Sequence, residues 1–141
     1  MAARSSRPDG LAPANPKLFA DRLKTRPDFL RAQKGARKVK DGLTLEACHT
    51  PQAARSPGHL RIGFTASRKI GGAVERNRAK RRLRAAAAAV LPLSGREGTD
   101  YVLVARPGTL VRPFAGLLED LAAAIAAAHL KLNDSETGAH P

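Results

Sequence analysis

The segment Arg68–Arg84 constrains this chain more than any other, because it concentrates positive charge that a protein interior cannot accommodate. It reads RKIGGAVERNRAKRRLR and holds eight basic residues against one acid, Glu75. Basic groups this close together repel one another unless a polyanion lies beside them. The segment must therefore fold at the surface, and its composition indicates contact with a nucleic-acid phosphate backbone.

The apolar residues that follow Gly71-Gly72 recur with the period of an amphipathic helix over about residues 73–91. The predicted buried stripe consists of Ala79, Leu83, Ala86, Ala87 and Val90. Polar groups flank it on both sides, with Arg76, Asn77, Lys80, Arg81 and Arg84 on one and Arg78 and Arg82 on the other. The first flank is the broader platform, and we expect Pro92 to end the helix.

Length and charge indicate one basic domain with tails. The chain has 141 residues, 25 Lys and Arg against 12 Asp and Glu, and a net charge of +13. Residues 61–84 alone hold nine basic residues and one acid, so the charge is focused in the manner of a docking surface. A protein that neutralises several phosphates loses affinity steeply as the salt concentration rises.

Other parts of the composition exclude several classes of protein. Cys48 is the only cysteine, which excludes a disulfide framework and a Cys-rich zinc site, and we interpret it as a small packed side chain. No apolar run approaches the length of a membrane span, so we expect no membrane partner and a cytoplasmic location. Residues 1–20 are rich in proline and are predicted to be a disordered arm, with a processed presequence as the alternative. The domain would cover residues 21–132, and residues 133–141 would form a disordered tail.

Shorter patterns predict the remaining elements. Pro27 and Asp28 suit the start of a helix over roughly residues 27–34. Asp41-Gly42 is a hairpin signal between a strand near Val39 and a strand with Leu43, Leu45 and Ala47 on one face.

Three further segments complete the predicted fold. Residues 60–67 alternate as a half-buried strand, and residues 101–105 are apolar on both faces, as in a covered central strand. Residues 114–132 form a last helix that buries Leu117, Leu118, Leu121, Ile125 and Ala128. The prediction is an α+β fold in the order α-β-β-β-α-β-α, with helices packed on one small sheet.

The sequence shows no catalytic constellation. The four histidines, His49, His59, His129 and His140, are assigned to loops, the last helix and the tail, and they lack metal-ligand spacing. The acids are scattered, and no pair suggests a two-metal nuclease site. Gly71-Gly72, beside Arg68 and Lys69, permits either a tight turn or an anion site at exposed helix amides.

Residues 61–84, RIGFTASRKIGGAVERNRAKRRLR, resemble the signature of the bacterial ribonuclease P protein component, above all in the core RNRAKR. RLKTRPDF at residues 22–29 is similar to that family's first helix region. DYVLVAR at residues 100–106 resembles its strand after the basic helix, and FAGLL at residues 114–118 the start of its last helix. The resemblance covers roughly residues 22–130.

This resemblance implies the family's α-β sandwich, a ribosomal-protein-S5-domain-2-like fold with a small mixed sheet. It also implies a left-handed βαβ crossover through the basic helix, which general rules of topology would not predict. The function implied is that of the protein subunit of ribonuclease P, which removes the 5′ leader of precursor tRNA. The RNA subunit with bound Mg²⁺ would be the catalyst. The protein, inactive alone, would bind ribonuclease P RNA and the leader, and it would need no protein partner.

Site residues follow from the same resemblance. The RNA-binding set is Arg68, Lys69, Arg76, Asn77, Arg78, Lys80, Arg81 and Arg84. The leader cleft would hold Phe29, Lys34 and Arg61, and stacking on Phe29 would tolerate any base; a plain core role for Phe29 is the alternative. Gln33, Leu43 and Glu46 stand where the family often has aromatics, and Lys34, Arg37, Lys38 and Lys40 offer charge instead. No catalytic residue and no metal ligand is assigned to the protein.

Two other functions compete with this one. A ribosomal-protein-like structural RNA-binding module, with no part in processing, would share the composition and the charge. A stand-alone nuclease would need a carboxylate or histidine cluster, which the sequence does not show.

Overall fold

The computed structural model describes residues 18–138, with side chains described through residue 133. The strands are β1 (Phe19–Arg22), β2 (Ala36–Val39), β3 (Leu43–His49), β4 (His59–Thr65) and β5 (Thr99–Ala105). The helices are α1 (Arg26–Gln33), α2 (Ala73–Ser94), α3 (Pro107–Val111) and α4 (Phe114–Gly138). None of the helices within this range is long and apolar enough to cross a membrane.

The strands form one five-stranded mixed sheet in the order β1-β4-β5-β3-β2. β4 runs parallel to β1 and to β5, and the β2–β3 and β3–β5 pairs are antiparallel. The parallel β4–α2–β5 crossover through the basic helix is therefore present, and its left hand stays a prediction. The hairpin at Asp41-Gly42 is confirmed, since the Lys40 amide donates to the Leu43 carbonyl at 2.8 Å.

Helices cover both faces of the sheet. α2 and α4 pack on one face, where the main core includes Leu45, Leu60, Tyr101 and Leu121. α1 covers part of the other face, over a smaller cluster made of Leu23, Ala32, Cys48 and Val102. β5 is thus buried on both sides, as its apolar sequence predicts. The predicted stripe of α2 is confirmed, because all five of its residues are buried.

Strand alternation decides which side chains reach each layer. In β4, Leu60, Ile62 and Phe64 point toward α2 and α4, so Arg61 and Gly63 point toward α1.

The same rule applies to β3. Leu43 lies in the main core, whereas Glu46 lines a depression beside α1. Leu43 and Glu46 therefore lie on different faces of the sheet, since residues three apart in a strand point to opposite sides.

Several element boundaries differ from the sequence prediction. Phe19 and Ala20 belong to β1, so the domain begins before residue 21; the rest of the predicted arm, residues 1–17, lies outside the described residues. α3 was not predicted. α2 continues through Pro92 to Ser94, so the prediction that Pro92 ends the helix was wrong. Proline lacks the amide hydrogen that would bond the carbonyl four residues earlier, but its fixed φ is helical, and the Gly95 amide still donates to the Leu91 carbonyl at 2.7 Å. α4 continues to Gly138, so residues 133–138 are helical, and residues 139–141 lie outside the described range.

Two histidines lie in strands rather than in the predicted loops. His49 ends β3, and His59 begins β4. His129 lies on α4 and is buried, and Cys48 is buried as predicted, with burial raising the pKa of its thiol to about 11. His140 lies outside the described residues.

Candidate RNA interface

The turn between β4 and α2 is built around Glu75, the one acid of the basic segment. A short 3₁₀ turn over Arg68–Ile70 leads into Gly71, whose φ of 143° favours glycine. The Glu75 carboxylate accepts the Gly72 amide at 3.0 Å, which fixes the first turn of the helix. The chain's own carboxylate thus takes a glycine amide that an anion would have used. This geometry is that of a tight turn, the first of the two interpretations of Gly71-Gly72.

The two flanks of α2 face different neighbours. Lys80 and Arg84 lie on the side of β4 and α1, and the Arg84 guanidinium stands 5.5 Å from the centre of the Phe64 ring. On the opposite side, Arg82 donates to the Arg112 carbonyl at the end of α3. The basic residues of α2 therefore lie on two flanks, as the helical period predicts. Arg82 is held by a hydrogen bond within the protein.

Exposure along the basic segment favours contact with a large partner. Six of the predicted RNA-binding residues are exposed: Arg68, Lys69, Asn77, Arg78, Arg81 and Arg84. Arg76 and Lys80 are half-buried against the turn and the cleft described next. Not one residue of this set forms an ion pair within the described part of the chain. The cations of this set therefore have no acidic partner among the described residues and are accessible to an external anion.

A cleft opens where β1 leaves the sheet. β1 pairs with β4 only as far as Ile62, so the edge of β4 from Gly63 onward has no neighbouring strand on that side. The resulting depression has a volume of about 360 Å³. Its lining residues are Ala20, Arg22, Leu23, Phe29, Ile62, Gly63, Phe64, Lys80 and Arg84. Phe29 from α1 and two cations from α2 therefore share one cleft, although 51 positions separate Phe29 from Lys80 in the sequence.

Phe29 is at once a packed residue and a wall of the cleft. Its ring contacts Gly63, where an added Cβ would come within 2.5 Å of the ring. It also packs on the cluster beneath α1 and remains half-buried. Phe29 therefore packs on the core and also lines the cleft, and its part in leader binding stays a prediction. The absent side chain at Gly63 makes room for the ring.

A second depression lies on the other side of Phe29, and its lining includes Gln33, Glu46 and Val104. Burial raises the pKa of Glu46, and Arg37, at 3.6 Å, opposes that shift. Two positions where the resembled family often has aromatics thus hold an amide and a carboxylate here. Phe29 is the aromatic side chain that lines this second depression.

Arg61 lies on the α1 face of β4, but carboxylates of its own chain occupy its guanidinium. Nε and Nη2 donate to the two oxygens of Asp100 at 2.8 and 2.7 Å, and Nη2 also donates to Asp28 at 3.1 Å. The side chain is 16% exposed. Its assignment to the leader cleft stays a prediction.

Two other residues change the predicted site. Lys34 is exposed at the end of α1, outside both depressions, and its assignment also stays a prediction. Arg22 lines the cleft but was not predicted, because it belongs to a strand that the sequence pattern did not reveal. The sequence feature that could have identified Arg22 is its position directly before Leu23, which is a core residue.

The acids in the described part of the chain are dispersed or paired with arginines. Asp28 and Asp100 share Arg61, Glu46 faces Arg37, and Asp120 faces Arg112. No group of three or more His, Cys, Asp or Glu between residues 18 and 133 is arranged to hold a metal ion. This donor set does not fit a two-metal nuclease centre within that range.

Known proteins resemble this chain in sequence and in fold. The family model for ribonuclease P matches residues 19–129. The ribonuclease P protein component of Ruegeria pomeroyi is 49% identical over 108 residues, which cover 76% of this chain and 85% of that protein. That of Caulobacter vibrioides is 47% identical over 115 residues, covering 82% and 75%. In fold, the chain is similar to the RNase P protein of Staphylococcus aureus, with a TM-score of 0.63 at 24% identity, covering 80% of this chain and 99% of that one.

Proposed function

Because this chain belongs to the ribonuclease P protein family, we propose that it binds the 5′ leader of precursor tRNA in the cleft between α1, β4 and α2. As a member, it is a subunit of an RNA-processing endoribonuclease and a partner of ribonuclease P RNA.

The observation that carries the proposal is the shared cleft of Phe29, Lys80 and Arg84. A single-stranded nucleic acid needs a flat apolar group on which a base can stack and cations that follow its backbone. Phe29 supplies the first, and the two α2 cations supply the second. A stack on one aromatic ring does not depend on base identity, which suits a leader whose sequence differs from one tRNA to the next.

The cations along α2 other than Arg82, including the two that line the cleft, are also the proposed contact with ribonuclease P RNA. Arginine presents a planar fork that matches phosphate oxygens, and Arg76, Lys80 and Arg84 recur every four residues, about 6 Å apart along the helix axis. A folded RNA has phosphates on several sides, so both flanks of α2 can contribute to binding.

Catalysis belongs, in this proposal, to the RNA subunit with bound Mg²⁺. The described carboxylates do not fit a metal centre, so no step of the reaction is assigned to a protein-bound metal. The protein contributes binding and orientation of the substrate, and the cytoplasm is the expected compartment.

Reconstitution tests the proposal directly. The protein, mixed with a bacterial ribonuclease P RNA at low Mg²⁺ concentration, should restore cleavage of precursor tRNA at the 5′ end of the mature sequence. RNA alone under the same conditions is the control, and the measured quantity is the initial rate of cleavage.

Two outcomes would contradict the proposal. No gain in rate over RNA alone would favour the structural RNA-binding module, particularly if the protein still binds the RNA. Cleavage by the protein without RNA would favour the stand-alone nuclease.

A further inference from the structure

Arg61 ties α1 to the two central parallel strands. It belongs to β4, it binds both oxygens of Asp100 on β5, and it reaches Asp28 in the first turn of α1 at 3.1 Å. Asp100 is fully buried and also accepts the Thr50 hydroxyl at 2.7 Å. The three elements that meet in this network are separated by 33 and 39 positions in the sequence.

The charge of Arg61 is already neutralised inside the protein. The hydrogen bond to Asp100, together with its charge, raises the pKa of Arg61. Burial would raise the pKa of Asp28, but hydrogen bonds from Thr25 and Arg61 outweigh burial and lower it. Two carboxylates facing one guanidinium leave no net positive charge at this point, so an incoming phosphate gains little from Arg61.

The contact between Arg61 and Asp28 is adjacent to the contact that seats Phe29. Asp28 and Phe29 are consecutive in α1, and Arg61 and Gly63 are successive positions on one face of β4. The ion pair and the ring on Gly63 are therefore two successive contacts between the same helix and the same strand. α1 is only eight residues long, and a helix this short depends on tertiary contacts for its position.

We propose that Arg61 is a positioning residue for leader binding: it holds α1 through Asp28, so that the Phe29 ring stays at the wall of the cleft. The inference deepens the proposed function and rests on it. It differs from the prediction that Arg61 contacts the leader itself, and the two roles give opposite results when Asp28 is changed.

The decisive comparison is Arg61→Gln against Asp28→Asn in the reconstituted holoenzyme. The measured quantity is the ratio of the dissociation constants for mature and precursor tRNA, which reports the leader's contribution. Positioning predicts that both variants lower this ratio in the same direction, by roughly five- to tenfold, which is within the value of one base stack. The double variant should lose no more than the larger single loss, since both act through one contact.

Direct contact predicts a different pattern. If Arg61 bound a leader phosphate, Asp28→Asn would remove a repelling carboxylate and would leave the ratio unchanged or raise it. That result would overturn the proposal. Phe29→Ala gives the reference loss, and Arg31→Gln is the matched control, because Arg31 pairs with Asp28 from within α1 and forms no ion pair with a described residue of the sheet.

A measurement without RNA separates this inference from the proposed function. In the free protein, Asp28→Asn should speed amide hydrogen exchange in α1 while β5 amides keep their protection, since the Arg61–Asp100 pair remains. Unchanged exchange in α1 would overturn the positioning role even if the holoenzyme is active. Arg61→Gln leaves the buried Asp100 without its partner and can fail to fold. In that case the exchange and binding results for Asp28→Asn alone test the positioning role. A wild-type holoenzyme with no preference for precursor tRNA would instead contradict the proposed function.

Discussion

Tyr101 and His129 form a buried polar pair joined by a hydrogen bond. The Arg96 amide donates to the Tyr101 hydroxyl at 3.0 Å, and that hydroxyl lies 2.7 Å from His129 Nε2. The hydroxyl either donates to Nε2 or accepts from it, according to which ring nitrogen of His129 carries the proton. Burial lowers the pKa of His129 to about 4, with the Arg96 charge adding to the effect, and burial raises the pKa of Tyr101 to about 12.

This pair predicts a loss of stability in mild acid. A histidine in the unfolded chain takes up a proton below a pH of about 6.5, whereas folded His129 resists protonation down to about 4. The stability that depends on a neutral His129 is therefore fully present above pH 6.5 and is lost as the pH falls toward 4. Between pH 7 and pH 5 the free energy of unfolding should fall by roughly 2 kcal/mol on this account.

Urea unfolding at the two pH values measures this change. The control is His129→Gln, which keeps a polar group near Tyr101 and has no proton to take up. Its free energy of unfolding should change less between the two pH values than that of the wild type. Parallel changes in the two proteins would show that His129 is not the group responsible.

At the scale of single elements, the two flanks of α2 predict different consequences of losing charge. Arg76→Ala with Lys80→Ala should flatten the dependence of log Kd for ribonuclease P RNA on log salt, by up to about one unit of slope per lost phosphate contact. Arg82→Ala should instead lower the melting temperature and leave the slope nearly unchanged, because its guanidinium binds the Arg112 carbonyl. Binding isotherms over a series of KCl concentrations measure both slopes. Equal slopes for wild type and the double variant would remove α2 from the interface.

The elements that the sequence predicts are those whose burial leaves a periodic pattern. α2 has a stripe of five buried residues, and β5 has an unbroken apolar run, so both were found from the sequence. β1 has no such pattern, since all four of its residues are exposed and it is held by pairing with β4. Backbone hydrogen bonds of an edge strand leave no trace in side-chain chemistry. The cleft beside β1, and Arg22 within it, were missed for the same reason.

Across the whole molecule, the candidate site was predictable in its parts but not in its assembly. The period of α2 separated Arg84 from Arg82, and the structure places them on different sides, as predicted. The proximity of Phe29 to Lys80 depends on where β1 ends and on the missing side chain at Gly63, and neither is a local property. The partners of Arg61 could likewise not be predicted from the sequence, because Asp28 and Asp100 are distant along the chain and no local pattern links them to Arg61.

The net charge of +13 leads to a last prediction, about the molecule as a whole. The cations of α2 repel one another in the free protein, because they lack acidic partners within the described residues, and added salt screens this repulsion. The melting temperature of the free protein should therefore rise with ionic strength, by about 3 °C for each kcal/mol of repulsion screened. Arg78→Gln with Arg81→Gln, which removes two exposed charges, should melt higher at low salt and respond less to added salt. Thermal melts of both proteins in a KCl series test this, and a wild-type midpoint that does not rise would mean that the fold tolerates this charge without RNA.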